Sequence, residues 1–167
     1  MSVLPIHRFP DPLLKRPTRR VDRFDPSVVK LVDGLITTMH HHLRCVGLAA
    51  PQIGSPLRVA VMDSSRNPKT VASRGLIVLV NPEILEPSGE SIQREGCLSI
   101  PDFTANVKRA TRVVVRAQDQ AGRRSEITLE GFEAIIAQHE IDHLDGTLFL
   151  DRVANVATDV FRRKTYL

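Results

Sequence analysis

The chain is short of cysteine and of aromatic side chains: its 167 residues include two cysteines, one tyrosine, six phenylalanines and no tryptophan. Two cysteines, Cys45 and Cys97, cannot build the disulfide framework of a small secreted domain. With aromatics at 4%, a surface that stacks nucleobases is not suggested. No apolar run approaches the ~20 residues that a membrane-spanning helix needs, and the longest good candidate is Gly75 to Val80. The N-terminal Met1-Ser2-Val3-Leu4-Pro5-Ile6-His7-Arg8 has no basic stretch leading into an apolar core, so no secretory signal is expected. Repeats, low-complexity segments and convincing linkers are missing as well. What is left is an ordinary globular composition, 42% hydrophobic and 25% charged. That suits a single domain over residues 1–167 with a sizeable core. The expected location is cytoplasmic, where a lone cysteine near histidines reads as a ligand or a nucleophile. A net charge of +4 permits an acidic partner such as RNA without requiring one.

Residues 5–24, punctuated by Pro5, Pro10, Pro12 and Pro17, read as an extended arm laid on the core. Asp25-Pro26 is a helix start, a carboxylate cap followed by proline at the first helical position. Apolar residues then recur at helical spacing from Val28 to Leu43. Leu57 to Met62 and Leu76 to Val80 read as strands, the second ended by Asn81-Pro82. Arg112 to Gln118 and Ser125 to Leu129 form a hairpin pattern around Asp119-Gln120-Ala121-Gly122. A helix is expected from Gly131 to Leu144, stopped by Asp145-Gly146, and a short C-terminal helix over Val153 to Lys164. Strands flank helices without βαβ alternation, so the class is α+β, with mostly antiparallel sheets around a central helix.

That central helix carries the chemistry. In His139-Glu140-Ile141-Asp142-His143 the two histidines are four apart, on one helix face, and can grip one cation. Glu140 between them can take a proton from water at the site. Phe132, Ile135 and Ile136 share the neighbourhood and suggest an apolar pocket. A third ligand is needed, and Gly146 to Leu167 contains no His or Glu and only Asp151 and Asp159 as acids. Upstream, Cys97 in Glu95-Gly96-Cys97-Leu98-Ser99 completes a Cys-His-His set. One thiolate brings a divalent ion from +2 to +1, which suits iron(II), zinc, cobalt or nickel better than magnesium or calcium. On these residues alone, a metallopeptidase of the His-Glu-x-x-His kind is an open alternative.

Three segments in order resemble the peptide deformylase family in its compact bacterial form: Val46-Gly47-Leu48-Ala49-Ala50-Pro51-Gln52-Ile53-Gly54, Glu95-Gly96-Cys97-Leu98-Ser99, and Gln138-His139-Glu140-Ile141-Asp142-His143-Leu144. The resemblance implies a hydrolase that removes the N-formyl group from the N-terminal methionine of nascent peptides, releasing formate. It implies Cys97, His139 and His143 as ligands of one divalent ion, iron(II) first, with zinc, nickel or cobalt as substitutes. Glu140 becomes the general base, and Gln52 with the Leu98 backbone N–H the oxyanion donors. Backbone groups around Gly47 and Ile100 are expected to pair with the substrate as an added strand, and Val46, Phe132, Ile135 and Ile136 to form the methionine pocket. Work on emerging chains also implies contact with the ribosome through the basic Arg162-Arg163-Lys164.

One position departs from the family pattern. The first motif usually opens with glycine, and here Cys45 stands in its place. A positive φ there would strain a cysteine, a place in the cleft would narrow the cleft, and oxidants generated at a nearby iron(II) centre would make the thiol an oxidation site; the bland alternative is a tolerated small residue. A catalytically weak peptide-binding relative is therefore a second alternative. His40, His41 and His42 look like another metal site, but consecutive helical residues diverge and do not converge on one ion.

Overall fold

The computed structural model describes residues 2–68, 70 and 72–164. The carboxylate of Asp25 accepts the Ser27 N–H at 2.9 Å and opens α1 (Pro26–His41), with Pro26 in its first turn. The strands that follow are β1 (Gly47–Ala49), β2 (Val59–Asp63), β3 (Leu76–Ile84), β4 (Ser91–Cys97), β5 (Ile100–Arg109), β6 (Arg112–Gln118) and β7 (Arg124–Glu130). They lead into α2 (Gly131–Leu144), a short α3 (Val156–Asp159) and β8 (Val160–Arg162). The pairings between these strands are all antiparallel, in a five-stranded sheet ordered β1-β2-β3-β6-β7 and a three-stranded sheet ordered β4-β5-β8. The architecture is α+β, as expected.

Alternation along β2 explains how the larger sheet holds two helices. Val59 and Val61 pack with Val28, Val32, Leu35 and Met39 of α1, whereas Ala60 and Met62 face Ala134, Ala137 and Ile141 of α2. Successive side chains leave a strand on opposite faces, so one short strand serves both cores. The smaller sheet has its own cluster, in which Ala105 and Val107 pack with Leu14, Leu148 and Phe149. Buried on nearly every side, α2 lies where the two sheets meet.

Two expectations are corrected. The strand thought to end at Asn81-Pro82 runs on to Ile84, because Asn81 takes a positive φ of 52° where the β3–β6 register shifts. Its side chain accepts the Val21 N–H and donates to the Val21 carbonyl, holding the N-terminal arm. The basic C-terminal end is not one helix: after α3 it becomes β8, which pairs with Phe103–Ala105 of β5. The β4–β5 hairpin had no clear sequence signal, since β4 is largely exposed and β5 begins Ile100-Pro101-Asp102.

Candidate metal centre and peptide cleft

The free edges of the two sheets, β1 and β4, border a cleft of about 400 Å³. Of the residues singled out in the sequence, Val46, Gly47, Gln52, Cys97, Leu98, Phe132, Ile135, Ile136, His139 and Glu140 line it. Ile100 does not: its side chain lies in the Leu14–Phe149 cluster, one turn beyond Cys97. His143 lies behind the lining, 1% exposed.

The helical pair His139 and His143 and the strand-end Cys97 bring their ligand atoms within 4.8 Å of one another, and no other such group occurs among the described residues. His40–His42 therefore do not form a second centre; the His41 and His42 rings meet edge-on at α1's end. Burial opposes ionisation of Cys97, yet the His143 and His139 rings beside it hold the thiol well below its ordinary range. A soft thiolate with two imidazoles is the donor set of a late first-row divalent ion. Two buried atoms, His143 Nδ1 and Glu140 Oε2, have no hydrogen-bond partner among the described residues. The carboxylate of Glu140 is pushed up to about 7, chiefly by burial. The donor set fits a bound cation.

Further partners fix these ligands, and sequence reasoning missed them. Glu95 accepts a hydrogen bond from His139 Nδ1–H at 2.8 Å, leaving Nε2 as the ligand atom. Burial would raise Glu95, but hydrogen bonds from Arg109 and His139 bring it down to about 2. Arg109 grips Glu95 at 2.7 and 2.9 Å and reaches Asp142 at 2.6 Å. Arg152 adds two bonds of 2.5 Å to Asp142. A buried charge left without its partner typically costs about 3–5 kcal/mol, so the buried Glu95, Arg109 and Asp142 come as a set, with the more exposed Arg152 added at its edge. The one available signal was Arg109 itself, which continues the inward row Ala105, Val107 at two-residue spacing.

Gln52 sits in a 3₁₀ turn, Ala50–Ile53, and is 2% exposed, not the surface glutamine its place after proline suggests. Its side-chain Oε1 accepts the Ala49 N–H at 3.0 Å, which aims Nε2 toward Cys97 Sγ at 3.3 Å and Ser99 Oγ at 3.2 Å. Gly47 must lack a side chain, because a Cβ there would stand 2.3 Å from Glu140 Oε1.

The family model for polypeptide deformylase matches residues 3–159. The chain belongs to this family. It is 41% identical over 164 residues to the peptide deformylase of Thermodesulfovibrio yellowstonii, covering 98% of this chain and 97% of that one. A crystal structure of a peptide deformylase from Legionella pneumophila is 42% identical, with a TM-score of 0.84 over 93% of this chain and 88% of that chain. A Met-Ala-Ser-bound class I type b peptide deformylase from Acinetobacter baumannii is 36% identical, with a TM-score of 0.85 over 91% of this chain and all 100% of that one. As a family member the enzyme is a metallo-hydrolase that removes the N-formyl group from nascent peptides.

Cys45, where the family motif opens with glycine, carries no backbone strain; the positive φ of 63° belongs to Arg44 before it. It does line the cleft. Its thiol donates to the Gly47 carbonyl at 3.1 Å and is pushed up to about 12, first by burial and then by the Glu140 charge. Burial and the nearby carboxylate thus disfavour the thiolate form of Cys45, the more nucleophilic one.

Proposed function

We propose that Cys97, His139 and His143 hold one divalent ion, iron(II) in the native cytoplasmic enzyme, and that Glu140 is the general base of deformylation. Bound there, the ion supplies Lewis acidity, polarising the formyl group and making a water acidic enough to attack near neutral pH. Glu140 takes the proton from that water and delivers it to the methionine nitrogen as the C–N bond breaks and formate leaves. Gln52 Nε2 and the Leu98 N–H donate to the oxygen of the attacked carbon. Fixed donors of this kind can supply roughly 2.7–4 kcal/mol each. Val46, Phe132, Ile135 and Ile136 receive the methionine side chain, while the backbone at Gly47 pairs with the extended peptide.

What supports the reading above all is a buried carboxylate oxygen with no hydrogen-bond partner among the described residues, beside the His139 and His143 imidazoles, in the cleft that Gln52 also lines. Met-Ala-Ser, bound in the Acinetobacter relative, has the composition of a deformylated product, and this cleft suits the same kind of peptide. Protein purified without oxygen and loaded with iron(II) is expected to release formate from formyl-Met-Ala-Ser and to leave unformylated peptides uncut. Cleavage of internal peptide bonds without formate release would favour the metallopeptidase alternative.

Ribosome contact through the basic end belongs to the same reading, carried by the exposed Arg162, Arg163 and Lys164. Phosphate contacts release counterions, so co-sedimentation with ribosomes should weaken steeply as salt rises. Reversing all three charges should weaken it at low salt; equal co-sedimentation of parent and variant would retire the idea.

A further inference from the structure

The side chain of Arg163 has no role in the reaction described so far, yet it reaches the catalytic cleft. It follows β8 at the far side of the small sheet, anchored by its N–H to the Asp102 carbonyl at 2.8 Å. Gly96 pairs with Thr104, and Thr104 with Phe161, so β5 separates β8 from β4. Two strand spacings are about 10 Å, a distance only a long side chain covers. Arg163 covers it by lying across β5 onto Gly96, where a Cβ would stand 2.1 Å from Nη2. The missing side chain at Gly96, one residue before the ligand Cys97, is what admits the guanidinium to the cleft.

A second arginine stands on the same face. Arg94 is two residues before Gly96 on β4, its guanidinium 3.5 Å over the Phe161 ring and its Nε donating to Asn106. The cleft's two carboxylates are already engaged, Glu95 by Arg109 and His139, and Glu140 in the reaction. Among the described residues the Arg163 side chain has no carboxylate partner of its own. A planar, permanently charged fork facing a peptide cleft is built for a carboxylate.

We infer that Arg163, supported by Arg94, selects formyl-methionyl peptides with an acidic side chain shortly after the methionine. Side chains of an extended peptide alternate between faces, so the preference falls on one of the second and third residues and not on both. The inference rests on the deformylase reading.

The test measures kcat/KM for formate release from formyl-Met-Ala-Ala and from versions with Asp or Lys at the second or third residue. In the parent the Asp-to-Lys ratio should be roughly two- to fivefold at one position, the range of a partly exposed ion pair, and near unity at the other. Arg163→Lys should keep part of the ratio, Arg163→Gln should bring it to about one, and Arg163→Glu should invert it. A merely structural role would slow every peptide by one factor and leave the ratio standing, and that result would overturn the inference. Should the variants not fold, salt decides in the parent, because an ionic preference shrinks as salt rises and an unmoved ratio rules it out. A parent that releases no formate from the neutral peptide overturns the deformylase reading, and this inference with it.

Discussion

Glu140→Ala is expected to bind its metal at the parental level and to lose most of its turnover. General acid–base catalysis contributes roughly 10²–10⁴-fold, so kcat on formyl-methionyl peptides should fall by at least that order. The carboxylate is buried, one of its oxygens has no hydrogen-bond partner among the described residues, and it is absent from the ligand cluster found among them. Its loss should therefore leave the Cys97, His139 and His143 donors untouched. Measuring metal content and turnover on the same sample separates the two roles. A metal-loaded Glu140→Ala enzyme of near-parental turnover would end the proposed mechanism, and a variant stripped of metal would mean that Glu140 is itself a ligand.

Cys97→Ser should act in the opposite order, on retention of the ion before turnover. A hydroxyl is a poor substitute for a thiolate, and here the thiolate is favoured by two neighbouring imidazoles. Losing an outer-shell partner typically costs 10–100-fold in metal affinity, so losing a direct ligand should weaken binding by at least about that factor. Competition with a chelator, read as metal per protein after gel filtration, gives the number directly. Iron or zinc held as tightly by Cys97→Ser as by the parent would mean the thiolate is no ligand.

The site was legible in the sequence where its geometry is local. His139, Glu140 and His143 are fixed by the helical repeat alone, and α2 has the very bounds that Gly131 and Asp145-Gly146 announce. Cys97 could be paired with them because the C-terminal stretch offers few alternatives. Arg109 could be read as inward-facing from its two-residue spacing, but its partners, like the reach of Arg163, depend on cross-strand register, β4 on β5 and β5 on β8. No spacing along the chain encodes which residues face each other once a strand as exposed as β4 pairs with its neighbour. The bulge at Asn81 hid the length of β3 in the same way, since Asn-Pro ordinarily reads as an ending.

The grip of Arg109 and Arg152 on Asp142 also changes how the motif is spelled. In a generic His-Glu-x-x-His helix the two middle letters are interchangeable. Here Ile141 is packed into the larger core and Asp142 accepts hydrogen bonds from two guanidinium groups. A helix with other letters in those places could still clasp a cation, yet it would leave Arg109 with half of its counter-charge. The wording between the two histidines thus records the neighbour to which the helix is bolted, a sheet whose last strand comes from the far end of the chain.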